Sequence, residues 1–338
     1  MYDFGQEIFG VSVKSDGPQG QLVYSVTMPI SYKNCQLLCE RVSLTSYLDW
    51  MGQVREYSLR PVLSQISELT RTGKWGLATN SVKLRVFDLL RVDDILEVRL
   101  WLSKITGHDN IYHLCFDFSK LLCESNRIRS AEGALTITCV DIIGHGEAKL
   151  AKAPQFLQQY FDYMRPKLKG VHSISKLVSQ PLKYTGGEIL LNYREAPRLI
   201  HQYLVQTTME DSNLVGNIYF ANYGKWAKAA AEMYLRNLFP QYFYKEVSRG
   251  EFLALEYKST HTNEAMPFDE IIAKVFLVEL RENMMDVQCV FYKKGAANSD
   301  RRLAVVRLSI FYGYVHNNDL NICALPDRLI NSLRKNDG

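Results

Sequence analysis

Two copies of one sequence pattern occur in this chain, and their spacing constrains the fold more than any other feature. The helix-like segment SYLDWMGQVREYSL resembles NYGKWAKAAAEMYL, and Trp50 corresponds to Trp226, an offset of 226 − 50 = 176 residues. Further along, RVDDILEVRLWLSKI resembles PFDEIIAKVFLVELR, and Asp93 corresponds to Asp269 at the same offset. Because two separate matches share one spacing, the sequence predicts a duplicated domain.

Each copy predicts the same order of secondary structure. An alternating strand comes first, QLVYSVTMPISY in one copy and RLIHQYLVQTTM in the other, followed by a polar turn, a helix and a series of strands. In the second copy Tyr223, Trp226, Ala227 and Ala230 recur at helical spacing, which indicates a mostly buried helix. We therefore predict an α+β fold in which antiparallel strands wrap around a helix, twice.

The segment between the copies has the Gly, Pro, Ser and Lys residues that are typical of a connector. Its stretch PQFLQQYFDYM predicts a short helix. We expect an N-terminal domain over 1–150, a connector with this helix over 151–190, and a C-terminal domain over 191–338.

Composition and charge exclude several classes of function. The net charge of +4 is spread along the chain without a run of Lys and Arg, so nucleic acid is not an expected partner. No apolar stretch approaches the roughly 18 residues that a membrane-spanning helix needs. The chain has seven cysteines, an odd number, and no signal-peptide pattern, so we expect reduced thiols and a cytoplasmic location. Cys35 and Cys39 lack a second Cys or His pair nearby, and no phosphate-binding glycine loop is present, so neither a metal nor a cofactor is expected.

The segment SNLVGNIYFANYGKW, residues 212 to 226, resembles the signature of hot-dog-fold acyl thioesterases of the 4-hydroxybenzoyl-CoA thioesterase superfamily. It is similar in particular to the enediyne polyketide thioesterase branch, which carries a similar Asn-Leu-Val-Gly-Asn run followed by Tyr and Trp. In that family a long helix is wrapped by an antiparallel sheet, and two such units pair side by side. The resemblance therefore implies a double hot dog, with both units on one chain packed as a pseudo-dimer.

The resemblance also implies site residues in the second copy. Asn213 stands where many members carry a catalytic Asp; an Asn side chain can orient a water or donate to an oxyanion, although it could equally cap a turn. Gly216 and Asn217 lead into the helix, and the backbone N–H near Phe220 would face the thioester oxygen. The alternative for Gly216 is an ordinary turn.

Other site residues are divided between the copies. Tyr223 and its counterpart Tyr47 match a tyrosine near the family's site, but a repeated tyrosine is as easily explained by packing. The branch has an Arg on its helix that only the first copy keeps, as Arg55, whereas the first copy has Gln36 in place of Asn213. We expect either that Arg55 crosses the pseudo-dimer interface to complete the Asn213 site or that it pairs with an acidic residue there.

The resemblance favours an acyl thioesterase that hydrolyses a carrier-protein- or CoA-linked acyl chain in a polyketide or fatty-acid-like pathway. An acyltransferase or decarboxylase of the same fold and a non-catalytic acyl- or carrier-protein-binding protein are the alternatives. The histidines are not arranged as in hot-dog dehydratases, and no G-x-S-x-G motif is present. Lys225 and Lys228 could receive an acidic carrier protein, or simply form a solvated helix face. Homo-oligomers of double hot dogs are compatible with the resemblance.

Overall fold

A computed structural model of the chain describes residues 11–14, 20–36, 40–107, 110–123, 126–144, 147–165, 186–243, 250–295, 301–316 and 319–335. Most of the predicted connector, residues 166–185, lies outside the described residues, and so does Cys39.

The described residues include helices at the three places predicted from the sequence, namely the helix of each copy and the short helix of the connector, and two more. The helices are α1 (Leu44–Ser58), α2 (Leu63–Arg71), α3 (Gln155–Met164), α4 (Phe220–Leu238) and α5 (Asp327–Lys335). The helix α4 ends just before Pro240, which has no N–H to continue the helical hydrogen bonds. The helix at α3 confirms the short helix expected from PQFLQQYFDYM, whereas α5 was not predicted.

The strands belong to one sheet. Strands of the first half are β1 (Val11–Lys14), β2 (Val23–Pro29), β3 (Trp75–Val86), β4 (Ile95–Thr106), β5 (Ile111–Cys123), β6 (Asn126–Gly144) and β7 (Glu147–Leu150). Strands of the second half are β8 (Ile189–Asn192), β9 (Arg198–Gln206), β10 (Glu251–His261), β11 (Glu270–Arg281), β12 (Met284–Lys293), β13 (Arg301–His316) and β14 (Asp319–Ile322).

The two halves have the same strand order, which confirms the duplication predicted from the sequence. Neighbouring strands run β2-β4-β5-β6-β3 in the first half and β9-β11-β12-β13-β10 in the second, and all pairs are antiparallel. The halves join where β3 pairs with β10, from Arg85 opposite Glu256 to Ser81 opposite Thr260. One continuous sheet therefore wraps both central helices.

The central helices α1 and α4 cross closely because their facing side chains are small or apolar. A Cβ atom at Gly224 would lie 2.3 Å from Cδ1 of Leu48, so this position of α4 has no space for a side chain. Next to the crossing, Lys225 Nζ lies 2.9 Å from Asp49 Oδ1. The close crossing places the start of α4 beside the last turns of α1, and this arrangement positions the site described below.

The helix α3 packs against the first half. Its Phe161 ring stacks on Tyr112 of β5 at a centroid distance of 3.8 Å, and the Tyr160 hydroxyl donates to the Ser58 carbonyl. In the second half α5 follows β14 as α3 follows β7. The proposed boundary at residue 150 stays a prediction.

Two further observations concern membrane-spanning helices and cysteines. In the described part of the chain, no helix is long and apolar enough to cross a membrane. The cysteines whose side chains the structure describes, Cys35, Cys115, Cys139, Cys289 and Cys323, are free thiols.

Candidate active site

A tight hairpin loop leads the chain into α4. Ser212 pairs with Ile218 across the loop, and the Gly216 N–H donates to the Asn213 carbonyl at 2.9 Å. Gly216 has a φ of +92°, which a residue with a Cβ adopts only with strain. The turn predicted at Gly216 is therefore formed, and Phe220 is the first residue of α4.

The side chain of Asn213 accepts one hydrogen bond within the loop and keeps its donor group, Nδ2, without an acceptor among the described residues. Its Oδ1 accepts the Val215 N–H at 2.8 Å, which is the turn-capping role considered from the sequence. Capping and donation to a substrate are thus compatible in one side chain.

Most of the predicted site residues line one pocket. It is lined by Arg55, Leu77, Thr79, Asn213, Asn217, Ile218, Tyr219, Phe220, Tyr223, His261, Asn263 and Glu264. We call it the site pocket. It brings together residues from both halves of the chain, with α1 and β3 on one side and the hairpin loop, α4 and the end of β10 on the other.

Arg55 reaches the site pocket from the first half. Its guanidinium lies 5.4 Å from the ring centroid of Phe220 and 6.0 Å from that of Tyr219, and its Nη1 donates to Thr79 Oγ1 at 3.2 Å. The acidic partner of Arg55 is its own neighbour Glu56, at 3.3 Å. The side chain of Arg55 is only 13% exposed, so its charge acts in a partly desolvated place beside the start of α4.

Sequence reasoning missed Glu264, a carboxyl group in the site pocket. Asn217 Nδ2 donates to Glu264 Oε2 at 2.5 Å. Burial raises the pKa of Glu264 above its ordinary value of 4.5, although the hydrogen bond from Asn217 opposes the shift. Oδ1 of Asn217 is buried and has no partner among the described residues. A carboxylate whose pKa is raised toward neutral pH is suited to general base catalysis.

His261, at the end of β10, was also missed. Its Nε2 lies 3.1 Å from Ser259 Oγ, and its ring meets the Tyr223 ring edge to face at 4.9 Å. Burial lowers the pKa of His261 from 6.5 to about 4, so the imidazole is neutral at physiological pH. The available signal was the polar run STHTNE between a predicted strand and PFDEI, where both His261 and Glu264 stand.

The Tyr223 side chain is packed among aromatic rings, and its phenol is not an exposed base. Its ring lies 5.3 Å from both Trp226 and Phe291. Burial, and secondarily the negative charge of Glu264, raises the pKa of Tyr223 well above its ordinary value. The phenol therefore stays protonated and can act only as a hydrogen-bond donor or acceptor.

The corresponding residues of the first half do not form a similar group. Gln36 Nε2 donates to Glu251 Oε1 at 2.6 Å, and Tyr47 is fully buried between Trp50 and Phe118. The residue of α4 that corresponds to Arg55 is Ala231, which is buried. Of the predicted residues, Gln36, Tyr47 and Gly216 do not line the site pocket, and of these Gly216 lies in the hairpin loop that carries Asn213 and Asn217.

Two further depressions adjoin the site pocket. The apolar depression is lined by Leu77, Ala78, Val140, Ile142, Gly144, Glu147, Ala148, Val215, Asn217, Glu264 and Met266. The polar groove is lined by Ala78, Thr79, Asn80, Thr138, Val140, Ala148, Lys149, Leu150, His261, Thr262, Asn263, Glu264 and Arg301. Among the residues that line these three spaces, Glu264 alone belongs to all of them. It therefore stands where the three spaces meet.

Both lysines considered for carrier-protein docking have acidic partners. Lys225 pairs with Asp49 of α1, and Lys228 Nζ lies 2.5 Å from Glu232 Oε1 one turn further along α4. No group of three or more His, Cys, Asp and Glu side chains within the described ranges could hold a metal ion.

Comparisons with known proteins identify the architecture. No protein-family model matches the sequence, and no curated protein matches it either. Among solved structures, the 12:0-ACP thioesterase from Umbellularia californica matches with a TM-score of 0.59 and 9% identity over 86% of this chain and 97% of that one. A protein assigned as an oleoyl thioesterase from Lactobacillus plantarum matches with a TM-score of 0.57 and 12% identity, over 88% and 98%. An acyl-ACP thioesterase from Bacteroides thetaiotaomicron matches with a TM-score of 0.52 and 8% identity, over 85% and 97%. These matches extend over both halves at once, and the chain has the double hot-dog fold that the resemblance implied.

Proposed function

We propose that this protein is an acyl thioesterase that hydrolyses a carrier-protein- or CoA-linked acyl chain in the site pocket between its two halves. The observation that carries the proposal is the position of Glu264, which lies where the site pocket, the apolar depression and the polar groove meet. A thioester has an apolar acyl side and a polar carrier side, so its reacting carbon would lie at such a junction. The names of the three structural neighbours, all thioesterases, support the same reaction.

The start of α4 supplies the group that would stabilise negative charge. The backbone N–H of Phe220 is in the first turn of the helix, and no described residue accepts a hydrogen bond from it. Together with Nδ2 of Asn213 and the positive charge of Arg55, it would surround the thioester oxygen as the carbonyl becomes tetrahedral. Removal of one such donor typically costs about 100- to 1,000-fold in kcat.

Glu264 would act as the base. Its carboxylate takes a proton from a water molecule while the water oxygen bonds to the carbonyl carbon. The tetrahedral intermediate then collapses, the C–S bond breaks, and the leaving sulfur takes the proton back from Glu264, which gives a free acid and a thiol. Asn217 holds the carboxylate in place through its hydrogen bond at 2.5 Å. The neutral imidazole of His261 lines the same pocket and can hold the water in position.

The pathway, the acyl-binding site and the location of the protein are also part of this proposal. The resemblance of residues 212 to 226 to the enediyne polyketide branch supports a polyketide or fatty-acid-like pathway. The apolar depression would receive the acyl group, because Val215, Ile142 and Met266 form its walls. A cytoplasmic location, expected from the cysteines, and self-association of double hot dogs are part of the proposal as well.

A panel of acyl-CoA and acyl-carrier-protein thioesters tests the reaction. We expect release of a free thiol together with the free acid, and at least a 100-fold loss of rate in Glu264→Gln. The matched control is Glu270→Gln, because Glu270 is a partly exposed glutamate paired with Lys294 away from the site pocket. Transfer of the acyl group without free acid would indicate an acyltransferase, and tight binding without turnover would indicate a binding protein.

A further inference from the structure

The strand β9 lies at an edge of the sheet. One side of it pairs with β11, and within the described ranges no strand pairs with its other side. The corresponding strand of the first half is β2, since Val26 and Gln202, which are 202 − 26 = 176 residues apart, pair with equivalent positions of β4 and β11. The other side of β2 is covered by β1 of the same chain. Among the described strands, the second half therefore leaves open an edge that the first half closes.

The open edge of β9 lacks the features that normally keep an edge strand from pairing with another chain. Such edges are commonly protected by Lys, by other charged side chains or by Pro. Residues 199–206, LIHQYLVQ, contain no Lys, Arg, Asp, Glu or Pro. The backbone N–H and C=O groups on the outer side of this segment can therefore pair with a further strand.

Exposed apolar side chains follow the same edge. Leu199 is 45% exposed and Leu204 is 56% exposed, whereas Val205, which points to the core, is buried. At the end of β9, Phe268 is 69% exposed at a backbone φ of +71°, and its N–H donates to the Thr207 carbonyl at 3.2 Å. Non-glycine residues in this region are uncommon and occur more often at functional surfaces. The edge thus offers apolar side chains as well as backbone hydrogen-bonding groups.

The outward side chains of β9 are placed symmetrically about Gln202. The pairing with β11 skips Ile200, and this β-bulge puts Leu199 on the same face as Leu204. On β11 the residues opposite Leu199, Gln202 and Leu204 are spaced two apart: Phe276, Lys274 and Ile272. Gln202 therefore lies midway between the two leucines. A second β9 that pairs in antiparallel orientation, with a two-fold axis at Gln202, brings each Leu204 opposite the partner's Leu199.

Electrostatic repulsion does not oppose this pairing. The charged residues on β9 and on the part of β11 that faces it are Arg198, Glu270 and Lys274. Each has a contact in its own chain: the ring of Tyr193 at 5.1 Å, Lys294 at 2.9 Å and the ring of Tyr292 at 4.8 Å. The Lys274 side chains of two copies would be three strand spacings apart, about 14 Å, which exceeds the screening length of about 8 Å at physiological salt.

We propose that two copies of this chain associate through β9, with the two strands antiparallel and Gln202 at a two-fold axis. The sheets of both copies then form one continuous sheet, and the exposed leucines of one copy lie against those of the other. This association gives a defined surface to the self-association in the proposed function. It uses none of the residues of the site pocket, so association and hydrolysis are tested independently.

Sedimentation velocity of the full chain over a range of concentrations tests the association. We expect the unaltered protein to form a species with twice the mass of one chain. Leu204→Lys should raise the Kd of this dimer at least tenfold, because the charge would lie against the partner's Leu199. Leu199→Lys gives the same test from the other leucine, and urea midpoints check that both variants are folded. The matched control is Ile95→Lys, because Ile95 is 48% exposed on β4, a strand that is paired on both sides, and this variant should remain dimeric.

A pair of double variants tests the register. Leu199→Glu/Leu204→Lys places opposite charges at both contacts across the axis and should restore the dimer, whereas Leu199→Lys/Leu204→Lys should stay monomeric. Within one chain the two side chains are four strand positions apart, about 14 Å, so the new charges do not pair with each other.

Three results would overturn the proposal. The first is an unaltered protein that stays monomeric, and if its β9 amides are then protected from hydrogen exchange, a segment of the same chain covers the edge. The second is a dimer that survives both Leu204→Lys and Leu199→Lys, because association would then use another surface. The third is a Leu199→Glu/Leu204→Lys protein that remains monomeric, because the strands would then not pair in the proposed register.

Discussion

The guanidinium of Arg55, on α1 of the first half, lies 5.4 Å from the ring centroid of Phe220, the first residue of α4 in the second half. The two residues are far apart in sequence and meet because α1 and α4 cross closely at Leu48 and Gly224. The positive charge thereby stands next to the start of α4, whose residues Phe220 and Tyr223 line the site pocket. In the proposed mechanism, each half supplies something that the other lacks.

Replacement of Arg55 should therefore impair the chemistry of a site built mainly by the other half. We expect Arg55→Ala to lower kcat about 100-fold with a smaller change in KM, because the charge would act on the oxyanion more than on the bound thioester. Arg55→Lys should recover part of the rate. The control is Arg60→Ala, which removes a cation stacked on Tyr57 at 5.0 Å outside the pocket. Equal rates for Arg55→Ala and Arg60→Ala in steady-state assays would exclude this role.

The pH dependence of kcat/KM should report Glu264. Burial raises the pKa of Glu264 above 4.5, and the proposed base must be ionised, so the rate should fall as the pH is lowered through that raised pKa. Glu264→Gln should remove this fall in kcat/KM at low pH together with most of the activity. If the residual activity of Glu264→Gln still falls at low pH as in the unaltered protein, another group is the one that titrates.

His261 should make folding stability depend on pH. Its pKa is about 4 in the folded protein and 6.5 ordinarily, so the unfolded chain binds more protons between these values. The stability from the neutral imidazole is present above pH 6.5 and is lost as the pH falls toward 4. We expect a loss of about 2 kcal/mol over this range, less than full burial would give because His261 keeps some solvent exposure.

His261→Asn should flatten this dependence in urea unfolding measured at several pH values. Glu264 acts in the opposite direction, because its raised pKa gives stability that is lost as the pH rises. The comparison of His261→Asn with the unaltered protein isolates the imidazole, since Glu264 is present in both. Parallel curves for the two proteins would show that His261 does not titrate as described.

The helix crossing gives a prediction for stability alone. Gly224→Ala would place a methyl group 2.3 Å from Cδ1 of Leu48 and should destabilise the fold by about 1–3 kcal/mol, although Ala is the better helix former. In the double variant, Leu48→Val should recover part of this loss, because the shorter side chain makes room. Urea midpoints of the single and double variants measure the coupling. A Gly224→Ala protein as stable as the unaltered one would mean that the helices can separate freely.

Much of the fold could be predicted from the sequence because the duplication is visible as paired matches at one offset. Trp50 and Trp226 have the same helix positions, and the strand order is the same in both halves. The helix α5 was missed because its sequence DRLINSLRK is short and mostly polar, and only Leu329 and Leu333 are buried. Its formation depends on packing more than on local preference.

There is a physical reason why only part of the candidate site could be predicted from the sequence. Asn213, Asn217 and Phe220 lie in one loop and helix start, so a local motif can indicate them together. Glu264 joins them through the hydrogen bond from Asn217, and His261 through the ring of Tyr223. Contacts between distant segments of this kind require the folded sheet, which sets the positions of β10 and α4 relative to each other.

A comparison of Asn213→Ala with Gln36→Ala in one thiol-release assay tests the central claim most directly. The two variants change the corresponding positions of the two halves, and only Asn213 lines the site pocket. With a carrier-protein or CoA thioester as substrate, we expect Asn213→Ala to lose about 100-fold in kcat and Gln36→Ala to stay within about twofold of the unaltered protein. Full activity in Asn213→Ala together with loss of activity in Gln36→Ala would contradict the account, because the reaction would then take place in the other half.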